Sequence, residues 1–272
     1  MKKVLLVFLG LITFSVIISC SNSNAFNSNP NPEPSVNAND HLEMSVLYQQ
    51  TAAEYRALCY QAFNAARYRL DQSSKMMGMM KKQAIVVDID ETVLDNSPYE
   101  ANSILKNWMY PEGWEEWINK AEARAIPGAL EFLKYAESKG VETYYISNRK
   151  ESQRAQTLKN LVSTGFPFAT NDHLMLKEKE SSKKARREKV SETRLIIMLI
   201  GDNLNDFTEV FEHKSIPERY GLTDSLINEF GNRFIVLPNA MYGDWEGALY
   251  NYNYAMDAVK KDEIRKANLK GF

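Results

Sequence analysis

Between Leu42 and Met80, apolar residues recur three and four positions apart, at Leu47, Tyr55, Leu58, Cys59, Ala62, Phe63 and Ala66. With no Gly or Pro before Gly78, that spacing predicts one or two amphipathic helices packed on a larger body. The pattern then changes. Ala84–Asp88 opens on the unbroken apolar run Ala84, Ile85, Val86 and Val87, which predicts a strand. Residues 101–126, carrying Trp108, Trp114 and Trp117, predict a helical insertion. Pro127-Gly128 followed by ALEFLKYAESKG predicts a helix that stops at Gly140. Strands are predicted at 141–147, 173–177, 195–202 and 233–238, with a helix at 151–164 between the first two.

Strands that alternate with helices and are apolar throughout predict an α/β fold. The sheet is parallel, doubly wound and covered on both faces. In such sheets ligands gather at the carboxyl ends of the strands. Asp88, Ser147 and Asp202 each stand at such an end.

The amino terminus departs from this plan. MKK is a short basic region, residues 4–19 form an apolar run, and Val16-Ile17-Ile18-Ser19-Cys20 follows the pattern of a bacterial lipoprotein signal. A signal peptide is expected at 1–19 and a lipid on Cys20, anchoring the chain to the cell envelope at the outer membrane. Residues 20–41, rich in Asn, Ser and Pro, then predict a flexible tether. Helices follow over 42–82, a main domain over 83–260 with a cap insertion at about 99–126, and a tail over 261–272. With Cys20 acylated only Cys59 remains, so the domain must be stable through its core and not a disulfide. A formal net charge of −2 argues against a nucleic-acid polymer as partner. A homo-oligomer is compatible with this composition.

Chemistry enters with the charges that follow the first strand. Asp88, Asp90, Glu91 and Asp95 lie within eight residues, although an isolated buried carboxylate is expensive. A second acidic cluster, Gly201-Asp202-Asn203-Leu204-Asn205-Asp206, closes the most apolar strand. If the two strands are adjacent and parallel, Asp88 and Asp202 meet, and such a pair calls for a cation between them. Oxygen-only ligands point to a hard ion, and Mg²⁺ suits carboxylates combined with a substrate phosphate. Ser147-Asn148-Arg149 offers a hydroxyl and backbone N–H groups to an anion. In SSKKARRE, Lys183 is expected to reach the pocket and the other charges to form a solvated helix face.

These stretches resemble a known family. IVVDIDETVLDNSPY is similar to the first motif of the haloacid dehalogenase superfamily, in the form typical of class C bacterial acid phosphatases. ISNR, SSKKARR and GDNLNDF resemble its second, third and fourth motifs in order, and the resemblance spans roughly residues 43 to 255. It implies a haloacid dehalogenase-like core with a small helical cap and N-terminal helices. The activity implied is Mg²⁺-dependent hydrolysis of small phosphate monoesters, with nucleoside 5′-monophosphates the leading candidates. Asp88 would be the nucleophile, forming an aspartyl-phosphate, and Asp90 the general acid and base. Ser147, Asn148 and Lys183 would bind phosphate. Asp88, the Asp90 carbonyl and Asp202 would hold Mg²⁺, with Asp206 orienting its waters, and Thr92 would bond near the nucleophile. Trp108, Tyr110 and Trp114 of the cap, and Tyr242 in LPNAMYGDWE, are candidates to line the substrate pocket. Glu91 and Asp95 read as loop or capping residues. Competing readings are a phosphotransferase of the same fold and a non-catalytic surface-binding lipoprotein. A haem site finds no ligand pair.

Overall fold

The computed structural model describes residues 38–73 and 81–272. The expected signal peptide, Cys20 and all but the last residues of the tether lie outside them. Among the described residues no helix is long and apolar enough to cross a membrane.

The chain begins with two helices, α1 (Glu43–Thr51) and α2 (Ala53–Ser73). Ala52 separates them because its backbone is extended, at ψ 127°. Strand β1 (Lys82–Val87) follows, then β2 (Leu94–Asp95), α3 (Ser97–Lys106), α4 (Trp114–Lys120) and β3 (Arg124–Ala125). Next come α5 (Ala129–Ser138), β4 (Glu142–Lys150), α6 (Arg154–Thr164), β5 (Leu174–Lys177), α7 (Lys184–Thr193) and β6 (Arg194–Gly201). The chain closes with α8 (Ile216–Ser225), β7 (Phe234–Val236), α9 (Asp244–Leu249) and α10 (Ala258–Ala267).

Five strands form the main sheet in the order β5-β4-β1-β6-β7, all pairs parallel. Alternation along β1 explains its unbroken apolar run. Ile85 and Val87 face a core built with Tyr55, Phe63 and Leu70 of α2 and Phe132 and Leu133 of α5. Ala84 and Val86 face the opposite core, with Val190 of α7, Phe207 and Phe234. A strand buried on both sides has no position left for a polar residue until it ends. Val87 pairs with Tyr145 on one side and Ile200 on the other, and the Asp88 N–H donates to Ile200 O at 2.9 Å. Register therefore brings the three expected strand ends together.

The structure differs from the sequence reading in three places. The insertion is framed by the antiparallel ribbon β2–β3 as well as containing helices. Two-residue strands are too short to carry a period. Helices α8 and α9 were not anticipated. Helix α10 crosses the expected domain end at 260 and runs into the expected tail, capped by Asp257, whose side chain accepts the Lys260 N–H at 2.8 Å.

Candidate active site

Three carboxylates converge at the end of β1. One oxygen from each of Asp88, Asp202 and Asp206 lies within 4.8 Å of the others. Asp88 is carried by β1, Asp202 follows β6, and Asp206 sits in a single 3₁₀ turn, Leu204–Asp206. That turn folds back over Gly201, and the Asn203 N–H donates to Asp206 Oδ2 at 3.0 Å. Among the described residues, Lys183 is the cation that forms ion pairs with this cluster. Lys183 Nζ pairs with Asp88 in a short contact and with Asp206 at 2.6 Å. Among the described residues, the side chains that donate to Asp202 are neutral, Thr92 Oγ1 at 3.1 Å and Asn239 Nδ2 at 2.8 Å.

Burial pushes the Asp88 carboxyl well above its usual range, with Lys183 opposing and the neighbouring aspartates adding to the rise. Asp202 is pushed up to about 7, by burial first and then by the Asp206 charge. Burial pulls Lys183 down, but Asp206 and Asp88 outweigh it and the net direction is upward. The three carboxylates outnumber the ammonium that pairs with them. An oxygen-only set with that excess fits a divalent hard cation.

Asp90 stands beside this group and has its own partners. Arg149 approaches from β4, with Nη2 at 2.7 Å from Oδ1 and Nε at 3.0 and 3.2 Å from the two oxygens. Asn96 Nδ2 donates to Oδ1 at 2.7 Å and Ser147 Oγ to Oδ2 at 3.2 Å. The Asp90 side chain is thus engaged by Arg149, Asn96 and Ser147 and is not one of the three grouped carboxylates.

The fold brings Asp88, Asp90, Ser147, Lys183, Asp202 and Asp206 together at the ends of β1, β4 and β6. Thr92 donates its hydroxyl to Asp202. Asn148 is exposed, and its Oδ1 accepts from Arg186 Nη2 at 2.6 Å, which leaves its Nδ2 and its backbone N–H as the groups an anion could meet. Trp108 packs over the Gly113 turn beneath Lys106, whose Nζ is 4.0 Å from the ring centre. Tyr110, 68% exposed, leans on Trp114 with ring centres 6.0 Å apart. Trp114 in turn lies 5.7 Å from the Arg149 guanidinium. Tyr242 donates its hydroxyl to Glu91 in a short hydrogen bond.

Two readings are refined. Glu91 does stand in a turn and accepts the Asn96 N–H at 2.8 Å just before α3, but it is fully buried, and burial, then the Asp90 charge, raise its carboxyl well above the usual range. Asp95 does cap, accepting the Ser97 N–H at 2.9 Å. The basic run 183–187 is only partly a solvated face. Arg187 is buried, with Nη1 donating to Asn205 O at 3.3 Å and Asp206 O at 3.2 Å, and Nη2 to Glu209 at 3.0 Å. Half-buried Arg186 donates through Nη1 to Ser147 O at 2.7 Å. The start of α7 thus ties the β4 end to the β6 end. Helical geometry held the clue: Arg187 lies one turn beyond Lys183, on the same face. Arg149 was missed because one arginine after a strand has no distinguishing pattern.

A sequence profile of the HAD superfamily, subfamily IIIB (Acid phosphatase), matches residues 11–245. Two solved structures of the class C acid phosphatase from Bacillus anthracis, one with tungstate bound, align with a TM-score of 0.84 and 50% identity. They cover 87% of this chain and 100% of theirs. Among curated relatives, a stem 28 kDa glycoprotein of Glycine max is 32% identical over 143 residues, 46% of this chain and 52% of that protein. Acid phosphatase 1 of Solanum lycopersicum is 26% identical over 82 residues, 30% of this chain and 32% of that one. The chain spans about half the length of the soybean relatives it matches.

Proposed function

Since the chain belongs to the HAD superfamily, subfamily IIIB acid phosphatases, we propose that it hydrolyses phosphate monoesters through an aspartyl-phosphate on Asp88. The observation that carries this reading is the pairing of roles at one strand end. Asp88 lies among carboxylates and Lys183, while Asp90, two residues on, is aimed separately by Arg149.

In the first step an Asp88 carboxylate oxygen bonds to phosphorus as the ester P–O bond breaks, and Asp90 gives its proton to the departing alkoxide. In the second, ionised Asp90 takes a proton from water, whose oxygen attacks phosphorus. The Asp88–phosphorus bond breaks, and inorganic phosphate leaves. Lys183 and Ser147 hold phosphoryl oxygens, and phosphoryl transfer asks chiefly for such positioning and charge balance. A Mg²⁺ ion held by Asp88, the Asp90 carbonyl, Asp202 and Asp206 would neutralise charge on the phosphoryl group. Nucleoside 5′-monophosphates are the proposed substrates. Tyr110 and Trp114, beside Arg149, and Tyr242, bonded to the residue next to Asp90, support that choice by offering aromatic surface near the acid. Export and anchoring to the outer membrane through lipidated Cys20 complete the proposal, supported by the sequence of residues 1–20.

Hydrolysis of a monoester panel with and without Mg²⁺ tests the reading. Asp88→Asn and Asp90→Asn are expected to lose nearly all activity while keeping the wild-type circular dichroism. Substantial turnover in Asp88→Asn overturns the nucleophile, and nucleotides ranking no better than alkyl phosphates overturn the substrate class. Palmitate labelling that persists in Cys20→Ser overturns the anchor.

A further inference from the structure

Glu91 follows Asp90 directly, yet the reaction outlined above gives it nothing to do. It is fully enclosed, with 0% of its surface exposed against 8% for the nucleophile Asp88. Its backbone stands at φ +56°, a left-handed conformation that a residue with a Cβ keeps only where its surroundings enforce it. The turn is held by its backbone, with the Glu91 N–H donating to Leu94 O at 2.9 Å, and by contacts on the carboxylate. Oε1 accepts the Asn96 backbone N–H at 2.8 Å, and Oε2 accepts the Asn96 side-chain N–H at 3.3 Å together with the Tyr242 hydroxyl. Among the described residues no lysine or arginine pairs with it. A packing role alone would be served better by an apolar side chain than by a buried carboxylate.

Its partners lead to three separate parts of the site. Asn96 is itself fully buried. Its Nδ2 donates to Asp90 at 2.7 Å, and its Oδ1 accepts Trp117 Nε1 from α4 of the cap at 2.7 Å. Tyr242 ends a loop whose other end is Asn239, the residue that donates to Asp202. Asn239 Oδ1 also accepts the Met241 N–H at 2.9 Å, which stiffens that loop. Thr92, next to Glu91, donates to Asp202 as well. One carboxylate therefore closes a circuit running from the acid Asp90 through the cap and the 239–242 loop to the cation cluster.

We propose that Glu91 is a positioning residue that clamps Tyr242 and, through Asn96, Asp90 and the cap, so that the pocket wall and the proton donor share one anchor. This rests on the phosphatase reading above, which supplies the role of Asp90 and places Tyr242 at the substrate. A residue that merely plugged the core would, when lost, weaken turnover of every monoester alike. A clamp on Tyr242 acts on substrates that reach its ring.

The test is steady-state kinetics on a nucleoside 5′-monophosphate and on a small alkyl phosphate. Tyr242→Phe keeps the ring and removes only the hydroxyl. It is expected to raise KM for the nucleotide about fivefold, the worth of one hydrogen bond, with less than twofold change for the alkyl phosphate. Glu91→Ala should give the same selective rise and also lower kcat for both substrates, because Asn96 no longer holds Asp90. The double variant should match Glu91→Ala in KM, since one contact cannot be lost twice. Glu91→Gln retains one acceptor oxygen and should recover part of the loss. Equal KM shifts for both substrates, additive effects in the double variant, or Glu91→Gln no better than Glu91→Ala overturn the clamp. If Glu91→Ala does not fold, Tyr242→Phe, Glu91→Gln and their double variant decide the matter. A wild-type chain without activity fails the phosphatase reading and the clamp together. An active wild type with unselective variants fails the clamp alone.

Discussion

Arg149 grips Asp90 at two points, with Nη2 at 2.7 Å from Oδ1 and Nε at 3.0 and 3.2 Å from the two carboxylate oxygens. The guanidinium is buried and its Nη1 also donates to Thr157 at 3.3 Å, so the fork has little freedom. In the proposed reaction Asp90 must meet the leaving oxygen at a fixed angle, and a planar fork sets that angle where a point charge does not. Arg149→Lys is expected to lower kcat about 100-fold with KM changed far less. Arg149→Met goes further and leaves a carboxylate held only by Asn96 and Ser147. It should destabilise the chain by about 2 kcal/mol, below the usual figure for breaking a buried pair because the Asp90 side chain is 19% exposed. Kinetics and urea unfolding of the two variants separate the effects.

Gly201 makes the return of the acidic turn possible. A Cβ placed there would lie 2.3 Å from Asp206 Oδ2 and 2.5 Å from its Cβ. The side chain of Asp206 would have to leave, and with it the contact to Lys183 and one member of the carboxylate cluster. Gly201→Ala adds a single methyl yet is expected to cut kcat/KM at least 100-fold and to weaken Mg²⁺ binding. A Mg²⁺ titration followed by activity checks this. Wild-type affinity in the variant would mean that Asp206 is dispensable.

The carboxylate cluster also predicts how stability depends on pH. Asp202 ordinarily titrates near 3.8 and is raised in the fold to about 7, and Asp88 moves in the same direction. Between pH 4 and 7 the native chain therefore binds a proton that the unfolded chain has released. By linkage the contribution of Asp202 is largest at low pH and is lost as pH rises through 7. A divalent cation needs the ionised carboxylates, so its binding opposes that trend. Wild type minus Asp202→Asn isolates the effect. Without metal the wild-type Tm should fall relative to the variant from pH 5 to pH 8. The Tm gain on adding Mg²⁺ should grow over the same range and largely vanish in Asp202→Asn. Thermal unfolding at three pH values, with and without EDTA, is sufficient.

What the sequence discloses and what it hides divide along physical lines. Strands β1 and β6 are legible because a sheet covered on both faces leaves only apolar positions, and the first polar residue after each run marks its end. Parallel order then brings Asp88, Ser147 and Asp202 together without further information. The ribbon β2–β3 is hidden because two residues cannot show a period, and α8 because IPERYGLTDS has no continuous apolar stripe. Arg149, Arg186 and Arg187 are hidden for another reason. A cation in a sequence looks the same in solvent or clasped around a carbonyl, and only the packing of α7 against the strand ends decides which it is. Glu91 was one carboxylate among four, and nothing in the spacing singled it out for burial.

Arg187 is where that hidden layer can be tested. Its guanidinium donates to the carbonyls of Asn205 and Asp206 and pairs with Glu209, pinning the turn that carries Asp206. It also lies one turn beyond Lys183, whose carbonyl accepts the Arg187 N–H at 3.0 Å, so the same helix start fixes the lysine and the acidic turn. Arg187→Ala leaves the Asn205 and Asp206 carbonyls with one donor fewer, the second of them buried, and should destabilise by about 2 kcal/mol. Arg187→Lys can reach one of the three acceptors and should recover part of that. If the arginine only stabilises, Mg²⁺ affinity will be unchanged in both variants once they are folded. If it places Asp206, Mg²⁺ affinity will fall about tenfold in Arg187→Ala and less in Arg187→Lys, while KM for substrate at saturating Mg²⁺ stays near wild type. The second pattern is expected, because the contacts are to the backbone of Asp206 itself and not to a neighbouring loop.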